Sequence, residues 1–356
     1  MPTTIATENP GKDVCRYLRH WANPRYVDAA LLTRHTRLAK DQRRRKGRAA
    51  ALSILQGLEF LESAATASPL TKPLPLFYAV ENIVKGIALV RDPSLQAADF
   101  RAHGLSGDKS KRYSIKNFTC KVQPPGSDVW SRAHRLLNAD WVKLPMRTDD
   151  QAILRSWRSD CDAPSLAGPT MKFGDLVRSL PEMTRDVVVA HWGYPYIVHV
   201  PSFAYAVTTD PPSASMSFRL RHAHDSATRK MIVSAEKGAL RTFVRGIDTL
   251  DVIGYSTTSQ TSSISAPHPR CDIFGELFMA FAPRRLDLSE ILIYLAALFI
   301  LSDVVRYQVD QWARLLDDHP GEAIIIERFL DIASRKVPNL ALNELEREYF
   351  EFKVAA

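Results

Sequence analysis

From Pro73 to Arg91 the apolar residues Leu76, Phe77, Val80, Ile83, Val84 and Ile87 recur at three- and four-residue spacings. That spacing gathers them on one face of a helix. Pro75 suits the first turn, where a missing amide proton costs nothing, and Asp92 before Pro93 marks the end. Glu81 stands four residues before Lys85, the order that favours an ion pair along a helix. Residues 26–64 carry a weaker helical pattern, with Leu52, Leu55, Leu58 and Phe60 or Leu61 toward a core. Gly57 weakens that helix, and a basic run interrupts it or makes it polar. A short helix is expected from Asp13 through Tyr17, Leu18 and Trp21, stopped by Asn23-Pro24, and the polar residues 1–12 are expected to fray.

After Lys111 the period changes. Residues Tyr113 to Val122 alternate apolar with polar, a strand pattern closed by Pro124-Pro125-Gly126. Short helices are expected from Phe173 to Leu180 and from Pro181 to Val189, and strands over 194–200, 203–208, 214–220 and 240–255. The Ser/Thr-rich stretch 256–265 reads as solvated loop. Leu286 to Leu316 is apolar enough for one central buried helix. A further helix from Glu322 carries Ile325, Ile326, Phe329 and Ile332 on one face and is expected to end at Val337-Pro338-Asn339, ahead of a closing strand over 349–354. The pattern predicts an α+β fold: helical regions at 1–110 and 266–356 around a mixed, β-containing region at 111–265.

Charge sharpens this picture. The formal net charge is +8, yet Arg34–Arg48 holds eight cations against Asp41, and Arg101–Lys121 holds six against Asp108. The rest of the chain is therefore net acidic, and the basic character sits in two segments. Cys15, Cys120, Cys161 and Cys271 are far apart with no CxxC pair, which fits reduced thiols and a cytoplasmic protein. The N-terminus lacks a signal-peptide core, and the apolar run Ile291–Leu301 falls short of the roughly 20 residues a membrane span needs.

Few motifs carry chemistry. Gly104 to Ser110 looks like a phosphate loop but has the wrong spacing for one, so phosphate contact by Lys109, Lys111 and Arg112 without nucleotide hydrolysis is the reading it supports. His103, just before a glycine on a loop, is a candidate general base with Arg101 and Arg91 as charge partners; its bland reading is a turn-fixing residue. His222-Ala223-His224-Asp225 and His268-Pro269-Arg270-Cys271 each lack a matching second half, so no metal or other cofactor is expected. The run Arg43, Arg44, Arg45, Lys46 is a candidate nucleic-acid face with few aromatics beside it; as a bland reading it is a solvated helix face. Arg306-Tyr307 and Trp312 line a pocket or, more plainly, pack helices together.

The block from Pro75 to Gly86 followed by His103-Gly104-Leu105, together with Arg306-Tyr307, Trp312, Glu327 to Leu330 and Val337 to Asn343, resembles the YaaC-like family across nearly the whole chain. The helix followed by a loop histidine is more weakly similar to HEPN-type helical domains. Many of those cleave RNA through an Arg-x4–6-His motif. Arg101 and His103 are too close for that motif, whereas Arg185 to His191 and Arg219 to His224 have the spacing but lie in the middle region. The two basic segments, taken with this resemblance, give the expectation of RNA or nucleotide binding through the basic helix and the His103 loop, with His103 and Arg101 as the candidates for RNase chemistry. The alternative is a non-catalytic protein that binds a protein partner or its own copies. No membrane partner is expected.

Overall fold

The computed structural model describes residues 3–107, 114–145, 151–157, 168, 170–200, 202–209, 212–221, 242–245, 250–257, 268–272, 275–280 and 288–354. The chain opens in strand β1 (Thr3–Thr7), where threonines and Ile5 favour extended backbone. Helix α1 (Pro10–Trp21) follows, with the Asn9 side chain accepting from the Lys12 amide at 3.1 Å and Pro10 in the first turn. Residues 1–12 were expected to fray; β1 is instead held by a partner at the other end of the chain. Asn23 likewise caps α2 (Pro24–Arg34). Helices α3 (Lys40–Thr66) and α4 (Pro73–Arg91) pair antiparallel, so that Phe60 stacks on Tyr78 at 5.5 Å while the Lys46 ammonium reaches the Leu95 carbonyl beyond the far end of α4. Their backbones approach closely because Gly57 and Gly86 lack side chains. A Cβ at Gly57 would stand 2.6 Å from Ile83 Cγ1, and one at Gly86 2.5 Å from Ile54 Cγ1.

The middle of the chain runs through β2 (Leu105–Gly107), β3 (Thr119–Val122), α5 (Val129–Leu137), β4 (Ala139–Pro145), β5 (Gln151–Trp157), β6 (Thr170–Lys172), α6 (Phe173–Val177), α7 (Thr184–Val189), β7 (Ile197–His199), β8 (Ser202–Thr209), β9 (Pro212–Arg221), β10 (Thr242–Arg245), β11 (Leu250–Thr257), β12 (His268–Cys271) and β13 (Leu277–Ala280). The alternation over 113–122 produces a strand only from Thr119, because Ile115–Asn117 closes into a 3-10 turn that buries Ile115. The C-terminal part holds α8 (Glu290–Tyr307), α9 (Val309–Asp318), α10 (Pro320–Glu346) and β14 (Phe350–Val354).

Two helix boundaries differ from expectation. The stretch 286–316 breaks at Gln308, whose φ of −135° and ψ of 46° leave the helical region, so α8 and α9 turn separately. In the other direction, α10 continues through Pro338. The lost amide bond is outweighed by what the following turns bury: Ala341, Leu342 and Leu345 are in the core, and Asn343 Oδ1 accepts from the Phe350 amide at 2.9 Å.

Contact density divides the described chain into two compact units. A helical unit takes Thr3–Asn138, Asp160–Val177 and Leu288–Ala356, so both helical ends of the chain share one core. A β-rich unit takes Ala139–Ser159 and Arg178–Asp287. In the helical unit α4 is the axis, sheathed by α3, α5, α8 and α10. It is long and apolar enough to cross a membrane, yet 78% of its most apolar stretch is buried inside the protein. Strand β1 lies parallel to β14, with Thr3 opposite Phe350 and Thr7 opposite Val354, and β2-β3-β6 form an antiparallel sheet. The β-rich unit holds the hairpin β4-β5, the four-stranded sheet β10-β11-β9-β8 and the three-stranded sheet β12-β13-β7.

Candidate functional site

The loop that follows α4 is fixed by backbone bonds before any side chain acts. The amides of Arg101 and Gln123 donate to Ser127 and Gly104 carbonyls, and those of Val129 and Trp130 donate to Ala102 and His103 carbonyls, all within 3.0 Å. Gly104 has φ of +80°, a left-handed backbone that glycine adopts without strain, and a Cβ there would run into the Asp128 carboxylate. This turn points His103 back at α4.

There the His103 Nδ1 lies 2.5 Å from Glu81 Oε1. The Glu81 side chain is only 3% exposed, while that of His103 is 36% exposed, so a buried carboxylate holds a solvent-reachable imidazole. Lys85 Nζ stands 3.5 Å from the other Glu81 oxygen and is 22% exposed. The imidazole edge is packed by Phe77 at 5.3 Å and Phe299 at 6.0 Å. Next to Phe77, the Tyr78 hydroxyl accepts from Arg306 Nη1 at 3.4 Å, and Arg306 Nε donates to the Ser302 carbonyl at 3.2 Å. Phe299, Asp303 and Arg306 share one stripe of α8, and Asp303 lies over Gly107 of β2. Among the described residues Arg306 has no carboxylate partner, which leaves its charge available to an anion.

The chemistry follows from the His103–Glu81 pair. When Nδ1 carries the proton and donates to Glu81, Nε2 is the basic nitrogen, and the carboxylate stabilises the imidazolium that forms when Nε2 takes a proton. No group of three or more His, Cys, Asp or Glu side chains able to hold a metal occurs among the described residues.

The expected site residues separate. His103 is at this site, but Arg101 sends its Nε to the Ala98 carbonyl at 3.1 Å, and Arg91 pairs with Glu344. In the basic run, Lys46 is buried against the Leu95 carbonyl and Arg43 is tied to Asp28 at 2.8 Å, so these two cations serve the fold. Burial lowers the Lys46 pKa, against the raising effect of Asp92 and Asp99. Arg44 and Arg45, with Arg48, are exposed. They belong to α3, which meets α4 through Ala79 and Ile83, whereas His103 meets it through Phe77 and Glu81. Glu81 and Ile83 are about 160° apart around the helix, so α3 and His103 occupy opposite flanks of α4. Lys109, Lys111, Arg112 and the His222 to Asp225 group lie outside the described residues. The sequence reading took Glu81 only as the partner of Lys85. Its signal was a carboxylate set among apolar residues of a helix destined for the core.

The fold and the site define a mostly helical α+β protein with a carboxylate-held histidine beside its central helix. The family described as YaaC-like Protein matches residues 19–345, and the chain belongs to that family. No curated protein and no solved structure matches it.

Proposed function

We propose that this protein is a cytoplasmic RNA-binding protein that cleaves a phosphodiester at His103 by acid–base chemistry. The observation that carries the reading is the exposed His103 imidazole held by the buried Glu81, with Lys85 at the other Glu81 oxygen and Arg306 on Tyr78 of the same helix. In the reaction Nε2 of His103 takes the proton of a ribose 2′-hydroxyl. The freed oxygen attacks the adjacent phosphorus, the bond to the 5′-oxygen breaks, and that oxygen leaves with a proton from water. The products are a 2′,3′-cyclic phosphate and a 5′-hydroxyl. Arg306, held by Tyr78 and the Ser302 carbonyl, meets the phosphate charge that grows along this path. Exposed Arg44, Arg45 and Arg48 add a salt-dependent backbone contact elsewhere on the surface. Of the HEPN-type spacings, Arg185 and His191 belong to the β-rich unit, and His224 lies outside the described residues.

The test is cleavage and binding of a labelled single-stranded RNA by wild type, His103→Ala and Glu81→Gln across a salt series. Loss of His103 is expected to slow cleavage by about 10²–10⁴-fold while binding persists. Wild-type protein that binds RNA without cleaving it at any salt would remove the catalytic half of the proposal. The alternative, a non-catalytic interaction protein, draws on Tyr307, Val309 and Ile324, which are large, apolar and exposed. The apolar residues 291–301 are buried in the core and do not add to that surface. Self-association by sedimentation, with no cleavage, would favour that alternative.

A further inference from the structure

A second constellation lies where α1, α2, β14 and the end of α10 meet, built from elements other than those around His103. Tyr17 and His20 of α1 have ring centroids 6.3 Å apart, His20 and Tyr26 of α2 are 5.9 Å apart, and Tyr17 and Phe352 are 6.0 Å apart. Tyr26 also meets the buried Trp21 edge-on at 5.2 Å. The Asn23-Pro24 turn folds α2 back on α1 and so brings these rings into one row. Packing aromatics normally hide their faces, but Tyr17 is 38% and Tyr26 40% exposed, and His20 is exposed as well. The rings form a surface row anchored on a buried indole.

Cations stand beside this row in excess. The Arg34 guanidinium carbon is 4.9 Å from the Trp21 ring centroid, and its buried Nη1 has no hydrogen-bond partner among the described residues. Arg347, the left-handed residue that ends α10 at φ 60°, approaches Arg34 closely enough to depress its pKa further after burial has done so; Glu346 and Tyr26 oppose the shift. Glu346 is the carboxylate acting on the Arg34 guanidinium, and its Oε1 already accepts from Trp21 Nε1 at 2.7 Å and from the Tyr26 hydroxyl at 3.3 Å. Arg16 and Arg19, on the same helix as Tyr17, are engaged by Asp13 and Glu62. Arg34 thus has another arginine as a neighbour and a carboxylate that is already occupied, and among the described residues its buried Nη1 lacks an acceptor. An anion would supply it.

We propose that this row is a stacking platform for single-stranded nucleic acid, with bases on Tyr17, His20 and Tyr26 and a backbone phosphate between Arg34 and Arg347. Exposed rings of moderate spacing with arginines at their margin fit bases and phosphates together. A folded acidic protein would use the arginines but leave the ring faces unfilled. The site needs no 2′-hydroxyl and therefore no cleavage, so it stands independently of the chemistry at His103.

The test uses the full chain and a fluorescein-labelled oligo-dT strand about ten nucleotides long, which lacks the 2′-hydroxyl that cleavage requires. Anisotropy titrations compare wild type with Tyr17→Ala/Tyr26→Ala, Tyr26→Phe and Arg347→Ser. The double variant is expected to weaken binding by about 5- to 100-fold, Tyr26→Phe to keep it because the ring remains, and Arg347→Ser to lower the slope of log affinity against log salt by about one phosphate. Ultraviolet crosslinks of the strand are expected at Tyr17 or Tyr26. Wild type that does not bind oligo-dT, or binding equal in wild type, the double variant and Arg347→Ser, would overturn the platform. If the double variant fails to fold, the crosslinks and the Arg347→Ser slope decide the question alone. RNA cleavage by His103→Ala is read separately, so the platform and the catalytic reading fail independently.

Discussion

At the scale of single residues the Glu81–His103 contact governs the proposed chemistry. Glu81→Gln keeps the shape of the side chain but removes the charge that favours the imidazolium. It is therefore expected to slow cleavage, though less than His103→Ala does. Gly104→Ala should cost about 1–3 kcal/mol by thermal or urea unfolding, since the alanine must adopt a positive φ and its methyl meets the Asp128 carboxylate. Asp92 offers a pH signature. Its burial raises the pKa, but the Ser94 hydroxyl and amide, Arg135 and Lys46 outweigh that and hold it below the ordinary carboxylate value. A pKa lower in the folded than in the unfolded chain contributes stability above the unfolded value, and that contribution fades as pH falls through the folded one. Asp92→Asn should thus unfold more readily than wild type at neutral pH, with the gap closing below about pH 4. His103 was legible in the sequence because a histidine beside glycine marks a constrained loop. Its partner was not, since Glu81 and His103 are 22 residues apart and Lys85 explained Glu81 equally well.

Among the elements, the α3–α4 pair sets how close everything else can come. Gly57 lowered the expectation of a helix, and its reason is the opposite helix: Ile83 Cγ1 and the Ala79 carbonyl fill the place of its side chain. Gly86 does the same against Ile54 and the Ala50 carbonyl. Replacing both by alanine gains helix propensity, about 1 kcal/mol each, but forces the backbones apart. The measured result should be a net loss of about 1–3 kcal/mol in denaturant unfolding, because packing strain in a filled core exceeds propensity. Helix positions were largely readable from period, as α4 shows. Helix ends were less so: α8 stops at Gln308 without a proline, and α10 passes through one. Beyond Pro338 the helix is held by what its last turns bury, which no local pattern contains.

For the whole molecule, the closure of the two ends is the feature with the widest consequence. β1 and β14 pair over five residues each, and Asn343 of α10 fixes β14 by accepting from the Phe350 amide while Asn339 Nδ2 donates to the Phe350 carbonyl at 3.3 Å. Asn343→Ala leaves that buried amide without its acceptor and should cost about 1–3 kcal/mol. Because Phe352 touches Tyr17, the same change should also loosen the aromatic row, seen as faster hydrogen exchange in α1 and β14 together. The sequence by itself determined most of the helical and extended segments, the faces to be buried and the two basic segments, since periodicity and charge are local properties of a chain. Only the tertiary structure decided what each face is buried against. It set Arg306 beside Tyr78 across 228 residues, turned Lys46 and Arg43 from surface cations into internal ties, and gathered rings from both ends of the chain around Arg34. The physical reason is that an apolar or charged pattern specifies an environment, whereas partners are selected by the packing of all elements at once.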